Sequence, residues 1–532
     1  MSKHLEKLAV FQCFRLKRLK PDQEVLRFVA TDGSFEALTY QKIYEQTNRM
    51  TRVLMDAGVG KGDRFAIILR NHPEFVYALF AAMSLGAVAV PIDPRSKGHK
   101  LAFQIKNTSC KLVLTEVDFL QALIDILPDI PDVKIPGVVR KAHHSTPLPD
   151  GYQDMADLLA EASPQMPAGL PPFKSRRPLQ VIHTSGTTGD PKGIVSDASR
   201  LQAYEVMARL IFRYKKNDVL YTGLSLTHGN AQGVTLFPAL ALSRKGVRAV
   251  ISERFTKRQI WDICRKHNCT SFSLLGGMMS GIFNEPPRAD DGNNPIRKVI
   301  SAGTPQPIWK AFEERFKTRI HEWYGAMEGG MAHNPPGKGP VGSFGKPHPL
   351  IYRMKIVDEN DREVAPGVKG ELISRMRFGR TSVEYLGKKE ASKDKVRGGW
   401  LRSGDICHKD KKGFLYFDYR KGGGLRRQGD FIQPEMVEKV IGAHPTVSEV
   451  AVYGIPAESG APGESDLVAA VTSFEGGEVD LEGVIAHCRE SLEANSVPSW
   501  FQVVPEIPKT ASEKPLTRIL KEEFRPEAAH SV

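Results

Sequence analysis

Residues 184–193 read Thr-Ser-Gly-Thr-Thr-Gly-Asp-Pro-Lys-Gly, a run of residue types suited to binding phosphate. Hydroxyls from Thr184, Ser185, Thr187 and Thr188 alternate with Gly186 and Gly189, and Lys192 adds a positive charge near the end. Hydroxyl donors and exposed backbone N–H groups in such a loop can wrap phosphate oxygens, and the ammonium balances their charge. Glycine serves where the backbone must approach a ligand closely. The loop is not the common P-loop, because no Gly-Lys-Ser/Thr follows its first glycine at the required spacing. A plain surface turn is the competing reading of the same Gly, Thr, Asp and Pro residues. Leu179-Gln180-Val181-Ile182 reads as the strand that feeds the loop.

Further blocks follow in order along the chain. They are Leu226-Thr227-His228-Gly229-Asn230, Ser301-Ala302-Gly303-Thr304-Pro305, Tyr324-Gly325-Ala326-Met327-Glu328, Trp400-Leu401-Arg402-Ser403-Gly404-Asp405, Tyr419-Arg420-Lys421 and Pro508-Lys509-Thr510-Ala511-Ser512-Glu513-Lys514. With the phosphate loop they resemble the acyl-adenylate-forming superfamily of acyl-CoA synthetases, peptide-synthetase adenylation domains and luciferase. The resemblance covers most of the chain and is strongest to a carboxylic acid–CoA ligase.

That resemblance implies a two-step reaction. A carboxylate attacks the α-phosphorus of ATP to give acyl-AMP and pyrophosphate, and CoA then takes the acyl group and releases AMP. Dense negative charge gathers in the first step, so cations and oriented donors are needed there. By resemblance, the Thr184–Gly193 loop holds the β- and γ-phosphates, and Glu328 ligates Mg²⁺, a hard cation that prefers oxygen. Tyr324 lies against adenine, with Gly303, Thr304 and Pro305 as another wall. Asp405 accepts from the ribose hydroxyls, and Arg420 reaches the same sugar. His228 sits beside the reacting carboxylate. Lys514 bridges carboxylate and α-phosphate as a compact charge on a long stem. Arg426, Arg427 and Gly429 resemble the small-domain loop that meets CoA. Gly276, Gly277 and Met278 lie where related enzymes line an acyl tunnel, which points to a sizeable apolar acid. The stretch from His228 to Gln232 resembles betaine- and carnitine-like CoA ligases as well as enzymes of fatty-acid metabolism.

Two positions depart from the family pattern. Met327 stands where threonine usually meets the α-phosphate, and methionine cannot donate that bond. Tyr419 stands at the hinge, usually Asp or Lys, with Asp418 one residue earlier. An acyl-AMP ligase that delivers to a separate carrier protein is the leading rival. A non-catalytic nucleotide-binding homologue is the rival that Met327 keeps open, against the intact Lys514, Glu328 and Asp405.

Composition bounds these readings. A chain of 532 residues exceeds one small core, and 41% hydrophobic with 25% charged residues is ordinary for a globular protein. Net charge is +13, which favours anionic partners such as nucleotide, pyrophosphate and CoA. No nucleic-acid module is recognisable. The run Arg15-Leu16-Lys17-Arg18-Leu19-Lys20 reads as a solvated helix face, with peripheral membrane contact as its other reading. Six scattered cysteines without a Cys-x-x-Cys pair fit a reducing compartment, and no signal-peptide pattern opens the chain. Both features predict a cytoplasmic protein. Phe75–Ile92 is uncharged, yet Ser84-Leu85-Gly86 interrupts it, so a buried helix, a turn and a buried strand are expected rather than a membrane span.

The elements that must position these residues follow an α/β pattern. Thr39 can cap a helix whose Ile43, Met50, Val53 and Leu54 share one face, and Arg64–Leu69 reads as a buried strand. Strand signals recur at Lys111–Leu114, Val247–Ile251 and Arg297–Ile300 with helical stretches between several of them. This alternation predicts a large N-terminal domain, residues 1–418, of layered and largely parallel sheets, with active loops at the carboxyl ends of strands. The triple glycine at 422–424 marks a boundary. Beyond it, residues 419–532 read as a small mobile α+β domain with helices at Pro434–Ile441 and Leu481–Leu492 and strands at Val450–Tyr453 and Leu467–Thr472.

Overall fold

Uncharged residues 75–92 form the buried centre of the large domain. In the computed structural model, every residue of the helix Pro73–Leu85 is buried, Pro73 opens it, and Gly86 ends it at φ 66°. The chain then enters the buried strand Val88–Pro91. Proline suits a first helical position and glycine a left-handed cap. The structure describes residues 3–184, 191–420, 425–427, 430–432, 434–457, 465–492, 494–510 and 513–532. Among these, no helix is long and apolar enough to cross a membrane.

The protein is α/β, with a large N-terminal domain of mixed sheets and helices and a smaller C-terminal domain. One sheet has six strands in the order Val138–Val139, Cys110–Glu116, Arg64–Ile68, Val88–Pro91, Pro178–Thr184 and Lys192–Asp197. Its pairs are parallel except the last, where Pro178–Thr184 and Lys192–Asp197 run antiparallel. A nine-stranded sheet is parallel through its centre, including Lys298–Ala302 beside Ile320–Ala326, and antiparallel at both edges. One continuous apolar core joins the two. Helix Tyr40–Asp56 begins as expected, with the Thr39 hydroxyl accepting from the Lys42 N–H at 3.2 Å.

A third sheet departs from the parallel expectation. Tyr352–Val357, Gly370–Met376, Trp400–Lys409, Val396–Arg397 and Leu415–Arg420 pair antiparallel throughout. Short connections permit this arrangement, whereas parallel neighbours need long crossovers. The small domain carries a ribbon of Leu425–Arg427 with Asp430–Ile432, and a four-stranded sheet of Glu449–Pro456, Ser465–Thr472, Trp500–Val503 and His530–Ser531. Helices Pro434–Ile441 and Leu481–Ser491 cover one face of that sheet, and Thr517–Glu523 lies on the other.

The basic run at 15–20 is not a helix face. The preceding helix stops at Cys13, and Arg15 and Arg18 take left-handed backbone conformations at φ 51° and 56°. Leu16 and Leu19 are buried, so the segment follows the core surface in an irregular path that lets both leucines insert. All six cysteines are buried and free of disulfides.

Candidate active site

The two ends of the predicted phosphate loop meet in an antiparallel pair of strands, Thr184 opposite Lys192 and His183 opposite Gly193. Ser185, Gly186, Thr187, Thr188 and Gly189 lie outside the described residues. A third segment runs alongside the second of these strands: Leu386 N–H donates to Gly193 C=O at 2.8 Å and Val195 N–H to Glu384 C=O at 3.0 Å. This places Tyr385 beside Lys192. Its ring lies 5.4 Å from the Lys192 ammonium, a cation–π distance. Its hydroxyl donates to Glu328 Oε1 at 3.0 Å.

Glu328 stands on the two-residue turn between strands Ile320–Ala326 and Gly329–His333, at the carboxyl end of a parallel strand. The Tyr385 hydroxyl fixes one carboxylate oxygen and leaves the other for a hard cation. The residues present therefore fit Mg²⁺, which Glu328 would hold and which would neutralise phosphate charge. Sequence reasoning missed Tyr385, which joins strand Lys192–Asp197 through the single bridge Ile194↔Tyr385 and has no pattern of its own.

Met327, beside Glu328, has a packing role. A Cβ on Gly229 would come within 2.2 Å of Met327 Sδ, so the thioether rests on the bare backbone of the His228 loop. Gly229→Ala is expected to slow adenylation by displacing Met327, and adding Met327→Thr is expected to restore part of the lost rate. A double-mutant cycle in pyrophosphate release measures the coupling. Additive losses would show that the two residues act separately.

The nucleotide residues assemble around the antiparallel sheet. Tyr324 donates its hydroxyl to Asp405 Oδ2 and packs on Phe344, with ring centroids 4.8 Å apart. Burial, followed by the Asp405 charge, holds the Tyr324 phenol well above its ordinary pKa, so it remains a donor. Asp405 stands directly opposite Arg420 across the hairpin of Trp400–Lys409 and Leu415–Arg420. Asp418 is tied into the same sheet by His408 at 2.8 Å and Lys369 at 3.2 Å.

Gly303 and Thr304 follow strand Lys298–Ala302, with Gly303 at φ 83°. Glu322 holds this loop from below, a role the sequence did not reveal. Its Oε1 accepts from Gly303 N–H at 2.7 Å, and its Oε2 accepts from the Thr304 hydroxyl at 2.5 Å. Gly276 also meets this loop, because a Cβ there would lie 2.0 Å from the Gly303 carbonyl oxygen. Burial pushes the Glu322 carboxyl up to about 7, against the hydrogen bonds that favour its charge. A carboxyl raised in the folded state contributes stability that is fully present below its unfolded pKa and lost as pH rises through the folded value. Thermal melts should therefore show wild type losing stability relative to Glu322→Gln between about pH 5 and 8, by up to roughly 3 kcal/mol. A constant difference would place no titration at Glu322.

His228 and Lys514 come together from opposite domains. Asn71 pins the His228 loop by donating to Leu224 C=O at 2.9 Å and accepting from Leu226 N–H at 2.8 Å. The His228 Nδ1 accepts from Asn230 N–H at 3.2 Å, so the neutral ring carries its proton on Nε2. Burial, and then the Lys514 charge, brings the His228 pKa down to about 4 and keeps the ring neutral. The loop continues into a π-helical turn, Ala231–Leu236, whose Gln232 side chain donates back to Leu226 C=O at 2.8 Å. The Asn230 amide is buried, and neither polar end has a partner among the described residues. Lys514 faces Thr510 across a backbone pairing in which Thr510 N–H donates to Lys514 C=O at 2.8 Å, next to the bridge Lys509↔Pro515.

The remaining predicted residues are spread more widely. Met278 is buried on the helix Gly276–Phe283. Arg426 pairs through its backbone with Phe431, and Gly429 lies outside the described residues. Arg427 donates to the Val497 and Asn495 carbonyls at 2.5 and 3.2 Å, so its guanidinium braces the small domain in this arrangement.

The pattern of the AMP-binding enzyme family matches residues 15–378, and that of its C-terminal domain matches residues 436–514. The chain belongs to the AMP-binding enzyme family. This AMP-binding enzyme is 26% identical over 511 residues to the crotonobetaine/carnitine–CoA ligase of Salmonella arizonae, covering 94% of this chain and 96% of that one. Its fold is similar to the anthranilate CoA ligase AuaEII bound to anthranoyl-AMP, with TM-score 0.81, 21% identity and 98% of each chain covered. It is also similar to the o-succinylbenzoate CoA synthetase of Bacillus subtilis bound to its acyl-adenylate, with TM-score 0.77, 24% identity and 98% of each chain covered.

Proposed function

We propose the reaction of this AMP-binding enzyme from one observation: Lys192, Tyr385 and Glu328 form a connected set, while Lys514 acts on His228 from the small domain. The chain is an ATP-dependent acid–CoA ligase. A carboxylate oxygen attacks the α-phosphorus of ATP, the bond to pyrophosphate breaks, and acyl-AMP forms. The CoA thiolate then attacks the acyl carbon, and AMP leaves. Thr184, Ser185, Gly186, Thr187, Thr188, Gly189 and Lys192 hold the departing phosphates. Gly303, Thr304, Pro305 and Tyr324 wall the adenine, and Asp405 with Arg420 holds the ribose. Mg²⁺, held by Glu328, supplies charge neutralisation at the phosphates.

Lys514 bridges the incoming carboxylate and the α-phosphate, and neutral His228 lines the carboxylate side. The turn carrying Lys514 enters and leaves with the small domain, which pivots through residues 419–424. Strand Leu415–Arg420 pairs with Trp400–Lys409 as far as Arg420, so the sheet runs two residues past a boundary at 418/419. The acid is sizeable and mainly apolar, received beside Gly276, Gly277 and buried Met278, and the setting is cytoplasmic.

Delivery to a carrier protein is the second reading, favoured by the Arg427 guanidinium being engaged with backbone carbonyls. The test is a pyrophosphate-release screen across acids of different size and charge, followed by assay for acyl-CoA. Arg426→Ala is expected to raise the KM for CoA roughly two- to fivefold, the worth of one exposed ionic contact, and to leave pyrophosphate exchange unaltered. Pyrophosphate release with no acyl-CoA from any acid would favour the carrier protein.

A further inference from the structure

The antiparallel sheet that carries Asp405 gathers positive charge elsewhere on its surface. Arg353 and Arg375 stand directly opposite each other in the ladder between Tyr352–Val357 and Gly370–Met376. Like charges in that position destabilise a strand pair. Lys355 shares the face of this pair by the two-residue period of a strand, and Arg377 follows just past the strand end, its N–H donating to Ile351 C=O at 2.8 Å. Lys355 and Arg375 both lie over the Trp400 ring, at 4.8 and 4.6 Å from its centroid. Arg380 follows on a turn closed by Met376 N–H donating to Thr381 Oγ1 at 3.0 Å.

These side chains surround an open cavity of about 730 Å³, lined by Arg353, Arg375, Arg377, Arg380 and Lys393 among others. Lys393 pairs with Glu390 at 2.8 Å. Among the described residues, the Arg353, Arg377 and Arg380 side chains make neither an ion pair nor a hydrogen bond. Clustered guanidinium groups without carboxylate partners repel one another, and a bound polyanion removes that repulsion. The planar fork of arginine matches phosphate oxygens in pairs, and a concave site of this size suits a small anion.

The location narrows the anion. Ser382 and Val383 line the cavity, and Tyr385, two residues on, holds Glu328 and underlies Lys192. Ser392, also in the cavity wall, accepts from Tyr385 N–H at 2.9 Å, so the cavity adjoins the backbone of the tyrosine that holds Glu328. We propose that this arginine-lined cavity is a diphosphate subsite that takes up the pyrophosphate released on adenylation. The assignment rests on the active-site reading above. The diphosphate of CoA offers the same chemistry, so the test separates the two sources.

Calorimetry on the full chain, with the ATP site filled by a non-hydrolysable ATP analogue, measures binding of inorganic pyrophosphate and, separately, of CoA. Wild type is expected to bind further pyrophosphate, and Arg377→Ala with Arg380→Ala is expected to weaken it roughly five- to tenfold. The inhibition constant of pyrophosphate as a product should rise in parallel. Arg353→Ala, at an exposed side chain, is an independent variant and should move both quantities in the same direction. Loss of CoA binding instead would keep the diphosphate subsite and assign it to CoA. Unchanged affinity for both anions in both variants would overturn the subsite. Failure of the ATP analogue to bind wild type would count against the active-site reading instead.

Discussion

Lys514→Ala is expected to slow acyl-AMP formation by on the order of 10²–10³, the usual cost of removing one donor aimed at developing charge. Lys514 is exposed, so its truncation removes little packing. Its charge acts on the buried His228 ring, and in the proposed reaction it would bridge the carboxylate and the α-phosphate. The loss should fall on the first step, read as pyrophosphate release. Thioester formation from chemically supplied acyl-AMP should persist, because the lysine has no work once the phosphate bond is broken. The His228 pKa should also rise toward its ordinary value in the variant, since a depressing charge is gone. Near-normal pyrophosphate release from Lys514→Ala would remove the lysine from the mechanism.

Glu328→Gln comes next in expected size. The amide oxygen can still accept from the Tyr385 hydroxyl at the Oε1 position. The other oxygen becomes an NH₂ group, which cannot ligate a hard cation. Adenylation should then need at least about tenfold more Mg²⁺. Tyr385→Phe keeps the carboxylate and removes its orienting donor, and partners of that kind are commonly worth roughly tenfold or more in metal affinity or activity. Titration of activity against Mg²⁺ tests both variants. An unshifted curve for Glu328→Gln would place the cation elsewhere, and an unshifted curve for Tyr385→Phe alone would leave that tyrosine a packing role.

Much of this site could be read before the structure, because its residues sit at the ends of regular elements with strong local signals. Phe75–Ile92 announces a helix, a glycine stop and a strand, and the hydroxyl-glycine loop follows a plain strand. Glu322 was hidden because a carboxylate within Ile320-His321-Glu322-Trp323 looks like surface, and only the fold brings the Gly303 and Thr304 N–H groups onto it. Tyr385 was hidden because its position comes from one bridge to Ile194, far away in sequence. The antiparallel sheet escaped notice because its strands are partly exposed and broken by loops. Its edge strand carries Arg353 and Lys355, and the next strand carries Arg375, a polar pattern that resembles a solvated segment. Leu16 and Leu19 show the converse case, where charged neighbours masked two buried residues.

The contact between Gly229 and Met327 also constrains how descendants of this sequence can diverge. A lineage that gains a side chain at position 229 while methionine remains at 327 must accommodate a collision at the reacting end of the site. The reverse order, shortening 327 first, meets no such obstacle. The two positions should therefore change together across related chains, with a short residue at 327 wherever 229 is not glycine. A mutational library that samples position 229 alone would record a partial loss there, although the restriction belongs to the pair.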